Sequence, residues 1–450
     1  MSSEHSRPPR PETPSPSRPR TVPSGRLSRL ARLGGVASQI AAGAMVDGAG
    51  HLARGRRPEM RDLLLTPANV SRFANELARM RGAAMKIGQL ISMDAGEVLP
   101  PELADILARL RADADYMPPK QLRTVLDGEW GRGWLSRFRS FDVRPIAAAS
   151  IGQVHRARTK DGRDLAIKIQ YPGVRRSIDS DVDNVASLMR LSGIMPAGFD
   201  ITPFLDEAKR QLHEEADYRR EGAQLQRFGE LLEGDADFLV PTLQDDLTTP
   251  NVLAMSFAEG VAIESLASAP RAERDRVIGL LLDLLFREVF VFGLVQTDPN
   301  FANYRYDSKS GRVILLDFGA ARAFSSEVVT PFRVLLGAAM AGEREAMRVA
   351  AIGVGFFEEA TAAHHQEAVL EMIDIASVPF RGQEAFDFGD GTLAARIREQ
   401  GMVLASDRDF VHIPPMDTLY LQRKFAGIYL LASRLKARAN LRSLVEGYAS

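Results

Sequence analysis

Two short segments in the second half of the chain combine the residue types that hold Mg²⁺ against phosphate. Asp298 precedes Asn303 by five residues, and Asp317 opens an Asp-Phe-Gly segment directly behind the apolar run 313–316. Phosphoryl transfer uses one carboxylate and one amide oxygen to hold the metal ion, while another carboxylate orients the attacking hydroxyl or water. The order and spacing predict Asp298 as a catalytic group, and Asn303 and Asp317 as metal ligands, as in a kinase.

A lysine far upstream fits the same chemistry. Lys168 lies in the strand-like run 164–169, which follows another strand-like run, 151–157, after a turn at 160–162. Two such runs around an Asp-Gly turn predict a β-hairpin. On such a strand an ammonium group reaches the α- and β-phosphates of a nucleotide and needs an acidic partner. A merely solvated lysine is the alternative, which the acidic helix and the two metal-type segments downstream disfavour.

The acidic partner is expected in residues 213–221, which are predicted to form part of one helix. Asp217 and Glu221 lie one turn apart on that helix, so either could pair with a lysine across a cleft. A charged face exposed to solvent is the alternative interpretation of this pattern. His213-Glu214 is also the start of a zincin motif, but the second histidine is missing, which argues against metalloprotease chemistry.

Four small residues stand where kinases keep a glycine-rich loop over the phosphates. They are Ala147, Ala148, Ala149 and Ser150, directly before the predicted hairpin. Alanine does not freely adopt positive φ, so this loop should not wrap phosphates as a glycine loop does. Nucleotide binding is therefore expected to differ from that of ordinary kinases.

Two other motifs are assigned no chemistry. A second Asp-Phe-Gly at 387–389 has no apolar strand before it and no Asp-x-x-x-x-Asn pattern just upstream, so it is predicted to be a surface loop. The pair His364-His365 is predicted to lie on a helix surface.

Composition narrows the function classes. The chain has 450 residues, no cysteine and a net charge of −1. This length predicts two or more subdomains, the missing cysteines exclude thiolate chemistry, and the charge balance gives no pull toward nucleic acid. The most apolar stretch, 277–295, contains Asp283, Arg287 and Glu288, and is therefore predicted to be a buried amphipathic helix and not a membrane span. Peripheral membrane contact remains open.

The pattern along the chain predicts an α+β, protein-kinase-like, bilobal fold. Residues 1–26 are rich in Pro, Arg and Ser and are predicted to be a disordered basic tail, with a transit peptide as the alternative. Residues 27–140 are predicted to be a helical extension, 141–260 a small mixed lobe with a helical insertion, and 261–450 a helical lobe.

Several segments share their pattern with one known family. They are Lys86-Ile87-Gly88-Gln89, the alanine loop with 150–155, the run 166–173, Glu215-Ala216-Asp217-Tyr218, 296–300, 316–320 and 423–427. In this combination the sequence resembles the UbiB/AarF-domain atypical kinases, the kinase-like proteins of ubiquinone synthesis in bacteria, mitochondria and plastids. The resemblance extends from about Leu27 nearly to the C-terminus.

The resemblance implies further site residues. Lys86 and Gln89 would belong to the N-terminal helical extension, packed over the active site, with Lys86 counted among the catalytic residues. Glu215 and Asp217 would be their partners in the cleft, and Glu221 the partner of Lys168. Residues implied to contact the nucleotide, besides the alanine loop, are Lys168, Glu221, Glu215, Asp217, Gln89 and Met255.

The resemblance also implies an activity. The family binds ATP or ADP with Mg²⁺ and acts as an ATPase or small-molecule kinase in ubiquinone biosynthesis at a membrane. A quinone precursor or lipid-like molecule, a peripheral membrane contact and quinone-synthesis enzymes are the implied partners. The expected location is the cytoplasmic side of a bacterial inner membrane, or alternatively the mitochondrial matrix face. A protein kinase and a pseudokinase scaffold are the alternative functions; Asn300, at the place of the lysine in Ser/Thr kinases, disfavours the first.

Overall fold

A computed structural model of the protein describes residues 82, 83, 86, 87, 116–191, 201–407, 410 and 412–448. The α-helices are α1 (Pro119–Trp130), α2 (Val174–Leu191), α3 (Thr202–Glu215), α4 (Tyr218–Leu231), α5 (Arg271–Arg287), α6 (Ser326–Ala341), α7 (Arg344–Val354), α8 (Ala363–Arg381), α9 (Thr392–Ser406), α10 (Met416–Leu435) and α11 (Leu441–Val445). The β-strands are β1 (Phe138–Phe141), β2 (Ala147–Ala148), β3 (Gly152–Thr159), β4 (Asp164–Gln170), β5 (Phe238–Leu239), β6 (Val252–Ser256), β7 (Val261–Ala262), β8 (Leu294–Gln296), β9 (Tyr304–Asp307), β10 (Arg312–Leu315), β11 (Ala321–Ala323), β12 (Phe386–Asp387) and β13 (Arg438–Ala439).

The chain divides into two compact units, which are described separately. One contains α1, β1, β2, α2 and most of α3, and the other contains α4 to α11 with β5 to β13, while β3 and β4 contribute residues to both. The largest sheet has the strand order β1-β3-β4-β6, with β2 paired to β3. The predicted domain boundaries at 26/27, 140/141 and 260/261 stay predictions.

The predicted hairpin is confirmed as β3 and β4. Its turn closes through hydrogen bonds from the backbone N–H of Thr159 to the carbonyl of Arg163 and from the N–H of Gly162 to the carbonyl of Thr159. Gly162 has φ of 98°, a left-handed conformation that glycine adopts without a side-chain clash. The sequence therefore fixes the turn that places Lys168 near the end of β4.

The second unit contains a four-stranded sheet in the order β5-β10-β9-β7. Strand β10 is parallel to β5, with Val313 opposite Phe238, and antiparallel to β9, with Leu315 opposite Tyr304. The first Asp-Phe-Gly follows β10, and the loop that contains Asp298 and Asn303 precedes β9. Pairing of β9 with β10 thus brings both predicted metal-binding segments to the same end of one sheet.

The most apolar stretch is a buried helix, as predicted. Helix α5 buries Val277, Leu281 and Leu285, and a π-helical turn, Glu288–Phe292, continues it until Gly293 ends it at φ of 59°. Within the part of the chain that the structure describes, no helix has the length and apolar character that crossing a bilayer requires.

Three local predictions are wrong. The acidic segment is not one helix, because α3 ends at Glu215 and Asp217 caps α4 by accepting the backbone N–H groups of Arg219 and Arg220. The second Asp-Phe-Gly is not a surface loop, because Asp387 pairs with strand β13 and Phe388 is 2% exposed. Of the two adjacent histidines predicted on a helix surface, His365 is buried.

Candidate active site

Asp298 and Asn303, predicted from their spacing, are in direct contact. They lie between β8 and β9, in a loop that ends in the short 3₁₀ turn Phe301–Asn303. The Nδ2 group of Asn303 donates to the backbone oxygen of Asp298 at 3.2 Å and to its Oδ2 at 3.1 Å. Asn300 accepts the backbone N–H of Ala302 and so caps the turn. Its side chain therefore has a structural use and does not replace the lysine of Ser/Thr kinases.

The Asp-Phe-Gly segment is fastened to this loop by two preceding side chains. The Nε2 group of Gln296 donates to the carbonyl oxygen of Asp317 at 3.1 Å. The hydroxyl of Thr297 donates to the carbonyl oxygen of Ala320 at 2.8 Å. The Oδ1 atom of Asp317 accepts the backbone N–H of Gly319 at 3.0 Å. Gln296 and Thr297 are 5% and 2% exposed, so these bonds form in a dry environment where they are strong.

Helix α4 packs on the same segment. Glu221, which is 1% exposed, lies on the face of α4 that also buries Phe228, whose ring is 4.8 Å from that of Phe318. The carboxylates of Asp317 and Glu221 approach Gly319 together: a Cβ added there would lie 3.3 Å from Asp317 Oδ1 and 3.4 Å from Glu221 Oε2. Two carboxylates beside the same glycine would favour a cation near them.

An arginine of α4 holds the backbone of the Asp-Phe-Gly segment. Arg220 donates from Nη1 to the carbonyl of Gly319 and from Nη2 to that of Ala321, both at 2.8 Å. Glu214, near the end of α3, pairs with Arg322 at 2.9 Å. Residues near the junction between α3 and α4 thus supply three contacts that fix the path of residues 319–322.

Helix α10 completes the surroundings of the catalytic loop. Arg423 Nη2 lies 2.9 Å from Asp298 Oδ1, and these side chains are 14% and 22% exposed. Gly427 allows the close approach of the loop, since a Cβ there would lie 2.1 Å from Pro299 Cβ. The run 423–427 was matched to the family by pattern, but Arg423 was given no role. The one signal in the sequence was Asn300, because an asparagine at the position of the lysine of Ser/Thr kinases leaves the loop without a cation of its own.

A buried ion pair lies next to this contact. Lys424 Nζ is 3.0 Å from Glu288 Oε2 and 3.1 Å from the hydroxyl of Tyr304, and Lys424 and Glu288 are 2% and 1% exposed. Burial alone would lower the pKa of Lys424, but attraction to Glu288 and Tyr304 outweighs burial and raises it. Lys424 therefore stays charged in the interior.

The connection after the Asp-Phe-Gly segment is short. Strand β11 ends at Ala323 and α6 begins at Ser326, so two residues join them. The backbone N–H of Phe324 donates to the carbonyl of Gly293, which holds the connection against the end of the π-helical turn. No room is left there for the long activation segment on which protein kinases seat a peptide.

The other unit contains the predicted lysine and the alanine loop. Lys168 is 8% exposed in β4. Ala147 and Ala148 form β2, opposite Val154 and Gln153 of β3, and the N–H of Ala149 donates to the carbonyl of Gly152. The alanines therefore form a tight antiparallel strand and turn with Ser150, as expected for residues that avoid positive φ.

The remaining predicted residues have varied environments. Met255 is buried in β6, Glu215 is the half-buried last residue of α3, and Asp217 is the cap of α4. Lys86 is 5% exposed in a helical segment, and Gln89 lies outside the described residues. The contacts of Lys86 with Glu215 and Asp217, and of Lys168 with Glu221, stay predictions.

Comparisons with known proteins agree on one family. The ABC1 atypical kinase-like domain matches residues 109–351. Atypical kinase COQ8, mitochondrial, of Saccharomyces cerevisiae is 36% identical over 94% of this chain and 85% of its own length. Atypical kinase COQ8B, mitochondrial, of Rattus norvegicus is 38% identical over 97% of this chain and 83% of its own length. A solved structure titled "The complex structure of Rv3197-erythromycin from Mycobacterium tuberculosis" has a TM-score of 0.60 at 25% identity and covers 83% of this chain and 95% of that one.

Proposed function

Because the chain belongs to the ABC1 atypical kinase-like family, we propose that it is an atypical kinase or ATPase that binds Mg-ATP or Mg-ADP and supports isoprenoid quinone synthesis. The observation that carries this proposal is the fastening of the two acidic segments to each other. Asn303 contacts Asp298, while Gln296 and Thr297 hold the backbone of 317–320. This arrangement supports the proposal, because phosphoryl transfer uses two carboxylates and an amide oxygen close to the phosphates.

The residues present fit a magnesium ion. Asn303 uses its Nδ2 group on Asp298, which leaves its Oδ1 atom as the amide ligand, and Asp317 supplies a carboxylate. Carboxylate and amide oxygens are the ligands that Mg²⁺ prefers in proteins. When bound, the ion would neutralise phosphate charge during transfer. The near approach of Glu221 and Asp317 to Gly319 is a second reason to place a cation here.

Asp298 would orient the attacking oxygen and accept its proton. Its carboxylate is held at both oxygens, by Arg423 at Oδ1 and by Asn303 at Oδ2, so it cannot rotate away from a substrate. Arg423 would supply the positive charge that Ser/Thr kinases take from the loop lysine, because Asn300 is used as a cap. A guanidinium group suits this role, since it presents several donors in a fixed plane to carboxylate and phosphate oxygens.

The nucleotide would be held by residues predicted from the sequence. We assign Lys168 to the α- and β-phosphates with Glu221 as its acidic partner, and Met255 to the base. The strand of Ala147 and Ala148 would lie near the phosphates without enclosing them, because it pairs with β3 in an antiparallel arrangement and alanine does not freely adopt the positive φ of a glycine loop.

Lys86 would form part of a lid, with Gln89, Glu215 and Asp217. Supporting this, a Cβ added at Gly82, one helical turn before Lys86, would lie 3.1 Å from Ile151 Cγ2 and 3.4 Å from the carbonyl oxygen of Ser150. Gly82, four residues before Lys86 in the sequence, thus lies against the end of the alanine loop.

The lid can be tested with Lys86→Ala. This variant should change ATP turnover or release autophosphorylation, with little loss of thermal stability if Lys86 serves the site. A Lys86→Ala protein that equals wild type in turnover, autophosphorylation and nucleotide affinity would refute the role.

A small molecule is the favoured phosphate acceptor or ATPase ligand. The two-residue connection between β11 and α6 disfavours the protein-kinase alternative, because no segment remains to seat a peptide. Retention of Lys168, Asp298, Asn303 and Asp317 disfavours a pure scaffold. A quinone precursor or a lipid-like molecule, reached by peripheral membrane contact, and the quinone-synthesis enzymes are the partners we propose. A bacterial inner-membrane location has no support in the comparisons, whose relatives are named mitochondrial.

The test is ATP turnover by the purified chain, measured alone, with anionic vesicles, and with vesicles plus a phenolic quinone-precursor analogue. Stimulation by the last combination, lost in Asp298→Asn, would support the proposal. Phosphorylation of added proteins with no response to the phenol would favour a protein kinase. Nucleotide binding without turnover under any condition would favour a scaffold.

A further inference from the structure

Three metal-ligating side chains converge far along the chain from the motifs of the candidate active site. His364 and His365 lie in the first turn of α8, and Asp407 follows the end of α9. Asp407 Oδ2 lies 2.9 Å from His365 Nε2 and 3.8 Å from His364 Nε2. One ligand atom from each residue lies within 4.8 Å of the other two, a separation that small rotations reduce to that of atoms sharing one ion.

The two histidines differ in exposure. The side chain of His365 is 5% exposed and its ring is 5.0 Å from that of Phe410, so packing fixes its direction. The side chain of His364 is 70% exposed, and its ring centroid is 3.9 Å from that of His365. A buried ligand of fixed orientation and an open side toward solvent together describe a site that an ion can enter and where water can complete the coordination.

We propose that His364, His365 and Asp407 bind Zn²⁺ or a similar divalent transition-metal ion. Two imidazole nitrogens and one carboxylate oxygen form a donor set that suits zinc, cobalt, nickel and copper, whereas magnesium and calcium prefer oxygen donors throughout. Metal binding requires unprotonated Nε2 atoms, so each ring would keep its proton on Nδ1. The metal would replace the hydrogen bond between His365 and Asp407 with two coordinate bonds.

The location gives the ion a structural effect. Two of its ligands lie at the start of α8 and the third directly follows α9, so the ion would connect α8 to the end of α9. Leu404 and Phe410, which flank Asp407 in the sequence, pack against the apolar cluster that includes Val369 and Leu370 of α8. An ion that binds only the folded form stabilises it by mass action. Metal should therefore raise the melting temperature of the chain in the absence of nucleotide.

The experiment titrates Zn²⁺, and Co²⁺ as a spectroscopic probe, into the full chain without nucleotide or Mg²⁺. We expect one saturable equivalent, a Co²⁺ ligand-field spectrum with nitrogen donors, and a rise in melting temperature. His364→Ala removes an exposed ligand without disturbing the core, and it should weaken binding about tenfold or more. Asp407→Asn keeps a side chain that can hydrogen-bond His365 but lacks the charge, and it should weaken binding similarly.

His213→Ala is the matched control, because His213 is an exposed helical histidine outside the cluster. It should bind the metal as wild type does. Absence of a saturable equivalent would overturn the proposal and leave a hydrogen-bonded His-Asp cluster. Equal affinity in wild type, His364→Ala and Asp407→Asn would also overturn it, because the ion would then bind elsewhere on the chain.

Discussion

The chain contains two Asp-Phe-Gly segments that fold into the same local structure in different surroundings. In the first, Gly319 N–H donates to Asp317 Oδ1 at 3.0 Å, and in the second, Gly389 N–H donates to Asp387 Oδ1 at 2.9 Å. Both phenylalanines, Phe318 and Phe388, are 2% exposed. The tripeptide by itself thus specifies a tight Asp turn and a buried ring, and nothing that distinguishes a metal site.

The neighbours make the difference. Around the first segment, Gln296 and Arg220 bind backbone carbonyls, and the carboxylates of Asp317 and Glu221 both lie near Gly319. Around the second, Asp387 Oδ2 lies 2.7 Å from Arg438 and 3.6 Å from Arg271. Arg220 therefore holds the first segment through its backbone, whereas two arginines hold the second through the carboxylate of Asp387, whose charge stabilises the fold.

The largest contrast is expected between Asp317→Asn and Asp387→Asn. The first would remove the proposed metal ligand, a contact worth several kcal/mol, and each ~1.4 kcal/mol is tenfold in rate, so ATP turnover should fall by about two orders of magnitude or more. Its amide oxygen still accepts the N–H of Gly319, so the melting temperature should hold. The second should leave turnover intact and lower the melting temperature slightly. Equal turnover in both variants would end the distinction between the segments.

Substitutions of the arginines beside Asp298 and beside Asp387 should also differ in their effects. Arg423→Ala leaves Asp298 without its cation and should reduce kcat by roughly tenfold or more, since charge-assisted donors aimed at the reacting groups are worth this much. Arg438→Ala removes an exposed pair with Asp387 and should leave kcat unchanged. Arg423→Lys keeps the charge and should recover part of the loss. If Arg423→Ala changed only the melting temperature, Arg423 would be structural like Arg438.

The two glycines sharpen the comparison further. A methyl group at Gly319 would press on Asp317 and Glu221, whereas one at Gly389 would lie 3.1 Å from Asp387 Oδ1 and 3.2 Å from Lys436 Cβ. Gly319→Ala should therefore lower turnover severalfold and raise the Mg²⁺ concentration for half-maximal rate. Gly389→Ala should lower only the melting temperature. A Mg²⁺ dependence unchanged in Gly319→Ala would separate Gly319 from the metal site.

The smallest effect concerns pH. Hydrogen bonds from Arg438, and then from the N–H of Gly389, hold the pKa of Asp387 below its ordinary value of 3.8. A lowered pKa in the folded state contributes stability above the ordinary pKa, and this stability is lost as pH falls below it. The melting temperatures of wild type and Asp387→Asn should differ slightly at neutral pH and converge in acid. A difference that grew in acid would contradict this sign.

The sequence predicted the parts of the site that lie close together along the chain. The hairpin around Gly162 was confirmed, because turn residues determine it. Asp298 and Asn303, which are five residues apart, are in contact, and the roles predicted for them stay predictions. The break at Asp217 was missed, although Asp is one of the residues most favoured at the N-cap of a helix. Helical periodicity continued across it and concealed the boundary.

Contacts between distant segments could not be predicted in this way. Arg423 lies 125 residues from Asp298, and no pattern in a single sequence joins them. The burial of Phe388 and His365 likewise depends on α10 and on residues near Asp407, which are brought there only by the fold. Local motifs in the sequence therefore indicated a chemistry, while the residues that position those motifs could be identified only from the structure.

The packing of α10 against the catalytic loop has a consequence for how the protein is made. The chain is synthesised from its N-terminus, so Lys168, Asp298, Asn303 and Asp317 all leave the ribosome before α10 does. Until α10 arrives, Asp298 lacks Arg423, and Glu288 lacks the buried ammonium of Lys424. The nascent protein thus carries these four residues before the helix that contacts Asp298, and the contacts to Asp298 and Glu288 form only after α10 has been synthesised.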